Sequence, residues 1–123
     1  MLDLDETLVH SGFESFNKND VTLKIEFNGL MYNIYVLIRP EVNYFLMEMS
    51  KLYEIVIFTA SLPKYAMPLL NILDEDNLCS FRLFREHCTL INTTFVKDLQ
   101  YLKRLEKVIS FDLRVISTFL FPF

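Results

Sequence analysis

Glycine occurs twice and proline four times in 123 residues, so no flexible linker divides the chain and a single domain is expected. Cysteine is also sparse: Cys79 and Cys88 form neither a CxxC pair nor a zinc-ligand spacing. They read as small, buried or half-buried thiols in a reducing compartment. No run reaches the ~20 apolar residues of a membrane-spanning helix, and the tail VISTFLFPF is only about half that length. Basic residues are not in excess. Twelve Lys and Arg against sixteen Asp and Glu give a net charge of −4, which leaves no electrostatic footprint for direct nucleic-acid binding. No secretory signal is legible, because Asp3 and Asp5 interrupt the place where its charged and apolar regions would lie. The expectation is a soluble, intracellular monomer, nuclear or cytoplasmic, in which the acceptor-like triplet Asn92-Thr93-Thr94 carries little meaning.

What is abundant is apolar surface. A hydrophobic fraction of 52%, with twelve phenylalanines, excludes a disordered chain. The polar stretch SGFESFNKND reads as a loop. VTLKIEF and MYNIYVLI, separated by Asn28-Gly29, read as a β-hairpin, since Asn-Gly suits the turn that hairpins prefer. Arg39-Pro40 stops the second strand. EVNYFLMEMSKL then places Val42, Phe45, Leu46 and Met49 on one helical stripe. EIVIFT is a continuous β-branched and aromatic run, as a buried parallel strand requires. A helix with Pro63 in its first turn is predicted through about Leu73. A strand near Phe81–Phe84, a short helix and a strand KVISF complete the pattern. Strands alternating with helices define an α/β class with a parallel sheet, whose ligands gather at the carboxyl ends of strands.

The opening MLDLDETLVH sets two carboxylates one residue apart among leucines. In an extended strand Asp3 and Asp5 would share a face while Leu2 and Leu4 point away. Neighbouring carboxylates repel, and each loses hydration on burial, so such a pair calls for a cation or a proton between them. The bland alternative is a polar turn in which Asp5 caps a following helix. Thr59 falls at a second strand end. Taken singly, Thr59 would be a helix cap or turn former, Lys97 beside Asp98 a solvated pair, and Arg39 a surface residue. His10 and His87 read as structural.

Five ordered blocks change those readings: DLDETLVHS, RPEVNYFL, EIVIFTASLPKYA, RLFREHC and FVKDL. Together they closely resemble the small phosphatases of the RNA polymerase II C-terminal domain, in the haloacid dehalogenase superfamily. The likeness covers roughly residues 2–109, with a divergent tail over 110–123. It implies a haloacid-dehalogenase-like Rossmannoid parallel sheet with a small β-hairpin insert near Asn28-Gly29. By resemblance Asp3 is the nucleophile and Asp5 the general acid and base. Thr59 holds a phosphoryl oxygen, and Lys97 offsets charge on the phosphate and on Asp3. Arg85 falls where relatives contact a second substrate phosphate, and a guanidinium suits that forked contact. Thr7 is grouped with the substrate-binding residues as a support of the loop. The cofactor implied is Mg²⁺, held by Asp3, Asp5 and Asp112, and the partner a phosphoserine or phosphothreonine protein.

Two departures bear on that reading. Only Met1 and Leu2 precede Asp3 where relatives carry an apolar strand, so the domain is expected to be incomplete. Leu113 stands where relatives place a further metal ligand, and leucine offers Mg²⁺ no oxygen. RVISTFLFPF resembles nothing in the family, and it would be an aggregation hazard if exposed. An enzyme, a non-catalytic phosphopeptide-binding module and an inactive fragment are therefore all carried forward.

Overall fold

A computed structural model describes residues 1–99 and 108–110. The predicted short helix, Asp112 and Leu113 lie outside those residues.

The Asn-Gly hairpin is formed as its turn chemistry requires. Strands β2 (Val21–Phe27) and β3 (Leu30–Ile38) pair antiparallel from Phe27↔Leu30 to Val21↔Val36. Asn28 and Gly29 both take positive φ, 53° and 78°, which matches the right-handed twist of the flanking strands. The loop expected over SGFESFNKND begins later than predicted. Val9–Gly12 forms β1 on the other edge of β3, giving the antiparallel order β1-β3-β2. Ser11 and Gly12 are weak strand formers, but β3 is long enough to pair on both edges, and tertiary pairing overrides local propensity.

Helix α1 (Val42–Ser50) buries Val42 and Leu46, the stripe expected from the sequence. Strand β4 (Ile55–Phe58) is buried at all four positions and pairs in parallel with β5 (Cys79–Leu83). Between them α2 (Pro63–Leu73) starts with Pro63, whose missing N–H is no loss in the first turn. Its Ala66, Leu69, Leu70 and Leu73 are buried against the sheet side of the core. On the other edge of β4, Leu2 makes a parallel bridge to Ile57. The Leu2 N–H donates to the Val56 carbonyl at 2.8 Å, and the Phe58 N–H donates to the Leu2 carbonyl at 2.9 Å. The segment before Asp3 therefore lies in the parallel sheet.

After β5 a single 3₁₀ turn (Arg85–His87) leads into a second hairpin, β6 (Thr89–Ile91) and β7 (Thr94–Val96). Its turn is Asn92-Thr93, both at positive φ. Of the expected strand KVISF, Val108, Ile109 and Ser110 are described and carry no ladder. The Ile109 carbonyl is engaged instead by the Met1 amino group at 2.7 Å. No helix among the described residues is long and apolar enough to cross a membrane.

Candidate active site

The two opening carboxylates do not share one environment. Beyond Leu2 the chain turns: Glu6 takes φ 60°, and the N–H groups of Leu8 and Val9 both donate to the Leu4 carbonyl. Leu4 drops into the core and no helix follows Asp5, so the capping alternative does not apply. Asp3 is 1% exposed, and its Oδ1 lies 2.5 Å from the ammonium of Lys97, which β7 delivers from the far side.

Asp5, only half-buried, is surrounded by hydroxyls. Its Oδ2 accepts from Ser61 Oγ at 2.7 Å and Thr59 Oγ1 at 3.2 Å, and its Oδ1 accepts from the Tyr65 phenol at 2.9 Å. Thr59 is placed by the end of β4. Its backbone N–H donates to the Leu83 carbonyl of β5, and its Oγ1 accepts from the Ser61 N–H at 3.0 Å. The Tyr65 phenol also meets Ser11 Oγ at 2.9 Å, linking α2 to β1. Burial, reinforced by the charge of Asp5, pushes this phenol well above the ordinary tyrosine range. Tyr65 thus keeps its proton and remains a donor at any physiological pH.

The carboxyl ends of β4 and β5 are tied to this loop by Arg85. Its backbone N–H donates to the Ser61 carbonyl at 3.1 Å, and its Nε–H donates to the Ala60 carbonyl at 2.6 Å. The guanidinium lies 4.8 Å from the centre of the Phe95 ring. Cys88 sits among the same charges: burial raises its thiol, Lys97 and Arg85 pull it back down, and Asp3 raises it. Both cations and Asp3 therefore act on one small region.

Asp3, Asp5, Thr59 and Lys97 are brought together around the ends of the Leu2 segment and β4. Thr7 is 2% exposed, and its carbonyl accepts from the Arg39 Nε–H at 2.6 Å, so it shapes the loop from within. Arg39 is correspondingly a brace of that loop and not the plain surface residue expected. Ser11, Ser61 and Tyr65 were missed by sequence reasoning. Ser61 lies in the loop before α2 and Tyr65 in its first turn, so no regular spacing marks the two in the sequence.

The carboxylates of Asp3 and Asp5 supply hard oxygen donors of the kind Mg²⁺ accepts, and that ion commonly uses one or two carboxylates plus water and substrate phosphate. No group of three or more metal-ligating side chains converges among the described residues.

A parallel α/β sheet with acidic residues, a threonine and a lysine at its carboxyl edge defines a haloacid-dehalogenase-type fold. Two solved structures of the RNA polymerase II CTD phosphatase Fcp1, one of them of the fission yeast protein, share it. One, a variant bound to beryllium fluoride, is 25% identical with a TM-score of 0.60. The other is 26% identical with a TM-score of 0.61, and each comparison covers 69% of this chain and 29% of that one. The model of the NLI interacting factor-like phosphatase family matches residues 1–122, and the chain belongs to that protein phosphatase family. Curated relatives include the Drosophila melanogaster phosphatase Herzog and the human carboxy-terminal domain RNA polymerase II polypeptide A small phosphatase 1. Each is 46% identical over 91% of this chain. The Saccharomyces cerevisiae phosphatase PSR1 is 45% identical over 85%. This chain spans 32%, 43% and 24% of those three proteins, respectively.

Proposed function

We propose that the chain carries the catalytic centre of a Mg²⁺-dependent protein serine/threonine phosphatase that works through an aspartyl-phosphate on Asp3. The observation that supports this most is the buried Asp3 held at 2.5 Å by Lys97, beside an Asp5 oriented by three hydroxyls. In the first step a carboxylate oxygen of Asp3 attacks phosphorus and the bond to the serine or threonine oxygen breaks. Asp5 hands its proton to that leaving oxygen. In the second step water attacks phosphorus, Asp5 takes up a water proton, and the bond to Asp3 breaks to release inorganic phosphate. Lys97 offsets the charge on Asp3 and on the incoming phosphate, and Thr59 donates to a phosphoryl oxygen. Asp3 and Asp5, with Asp112 as a third ligand, would hold Mg²⁺, which when bound neutralises phosphate charge. Arg85 offers its remaining N–H groups to a second substrate phosphate.

The substrate class is a phosphoserine or phosphothreonine segment like the RNA polymerase II tail named for the relatives, which would place the work in the nucleus. A binding-only reading draws on Leu113, where relatives carry a metal ligand. Phosphate release from a phosphoserine peptide with Mg²⁺, measured beside Asp3→Asn, tests the proposal. Release is expected from the parent and not from the variant. Equal release by both would sink it, and peptide binding without release by the parent would favour the binding-only reading.

A further inference from the structure

Phe95 lies on β7, and Lys97 is the first residue beyond that strand. Phe95 and Lys97 are two apart, and successive alternate residues in an extended chain share a face. Lys97 reaches Asp3 directly. Phe95, at 39% exposed, instead lies under the guanidinium of Arg85, 4.8 Å from ring centre to the guanidinium carbon. The Nε–H of Arg85 is already committed to the Ala60 carbonyl at 2.6 Å. One hydrogen bond leaves the guanidinium free to swing about that contact, but a hydrogen bond plus an aromatic face fixes its plane. Arginine is the residue for such a role, because it stacks on a ring while its other donors stay available to an oxyanion.

We propose that Phe95 is a positioning residue, which holds the Arg85 guanidinium in the orientation that receives an oxyanion of the substrate. This rests on the phosphatase reading for its ligand, a phosphorylated peptide, but the geometry of Phe95 and Arg85 stands apart from turnover. The β6–β7 hairpin then sets both cations, Lys97 by its own ammonium and Arg85 through a ring.

The test reads positioning and function separately. In the ¹⁵N-labelled full chain, hydrogen exchange at the Arg85 Nε–H is compared among the parent, Phe95→Leu and Phe95→Tyr. The ring-bearing Tyr variant is expected to match the parent, and Phe95→Leu to exchange about two- to fivefold faster, as loss of a partly exposed cation–π contact implies. With Mg²⁺, KM for a peptide carrying two phosphoserines should rise by about the same two- to fivefold factor in Phe95→Leu, with kcat kept. KM for para-nitrophenyl phosphate, which has no second phosphate, should stay at the parent value. Unchanged exchange in Phe95→Leu, or failure of Phe95→Tyr to match the parent, overturns the proposal. Faster exchange with an unchanged peptide KM, or an equal loss on para-nitrophenyl phosphate, overturns it too. If the parent hydrolyses neither substrate, the phosphatase reading fails, and the exchange measurement still decides whether Phe95 positions Arg85.

Discussion

Lys97 and Asp3 form an ion pair at 2.5 Å with the lysine side chain 12% exposed and the aspartate 1%. Ninety-four positions separate them in sequence, and the contact closes the β6–β7 hairpin onto the Leu2 segment of the parallel sheet. Taking two charges out of water is expensive, and their attraction offsets that cost only while both are present. Lys97→Met should therefore destabilise the fold by about 3–5 kcal/mol, read as a lower urea midpoint. Adding Asp3→Asn to that variant should restore much of the stability and none of the activity. A single Lys97→Met variant as stable as the parent would show that the pair contributes nothing to the fold.

Asp5 predicts a dependence on leaving group. An alkoxide leaving from phosphoserine needs a proton, whereas nitrophenolate leaves without one. Asp5→Asn keeps one acceptor oxygen, enough for the Thr59 and Ser61 hydroxyls that share Oδ2 in the parent, but cannot donate as an acid. The loss in kcat on a phosphoserine peptide should be about 10²–10⁴-fold. On para-nitrophenyl phosphate it should be at least about tenfold smaller, because the acid step is not required. Equal losses on the two substrates would remove Asp5 from that role.

The α/β class with its parallel sheet was legible in the alternation of strands and helices, whereas the candidate site residues stood out only in combination. Asp3, Asp5, Thr59 and Lys97 gained meaning only as members of ordered blocks, since each has an ordinary explanation when met alone. The Asn28-Gly29 hairpin was legible because its turn demands positive φ from two residues, and this dipeptide tolerates it. Strand β1 was not legible, because Ser11 and Gly12 pair through the length of β3 and not by their own preference. Nor was the hydroxyl shell of Asp5. Ser61 and Tyr65 donate to Asp5 from a loop and from α2, Ser11 meets Tyr65 from β1, and no local pattern shows that a β1 serine and an α2 tyrosine will meet. Arg39 looked like surface for the same reason, as its partner is the Thr7 carbonyl 32 residues away.

The second hairpin offers a stability gain. Its turn places Thr93, a β-branched residue, at φ 69°. That left-handed conformation costs a non-glycine L-residue about 1–2 kcal/mol. Among the described residues the Thr93 hydroxyl donates to the neighbouring Asn92 carbonyl, on the exposed face of the turn. Thr93→Gly should raise stability by about 0.5–1 kcal/mol, once glycine's greater freedom in the unfolded chain is subtracted. The measurement is a chemical denaturation midpoint, and a lower midpoint would mean that the threonine side chain holds the turn by contacts beyond that carbonyl.

Acid sensitivity should trace to Asp74, at the end of α2. Burial alone would push its carboxyl up, but the Arg82 guanidinium at 2.9 Å and the backbone N–H groups of Leu78 and Cys79 outweigh it. The net effect holds the carboxyl below the ordinary aspartate range. The sign follows from linkage. The unfolded chain binds this proton at higher pH than the folded one, so the contribution is complete above the unfolded aspartate value of about 3.9. It fades as pH falls from there through the folded value. Asp74→Asn removes the charge-assisted contacts that brace α2 against β5 and should cost about 1.5–3 kcal/mol near neutrality. Urea unfolding of parent and variant from pH 7 down to pH 3 provides the check. The gap between them should stay constant to about pH 5 and narrow below about pH 4. A gap that widens on acidification would contradict the assignment, because a carboxyl held below its unfolded value can only lose its advantage as protons are added.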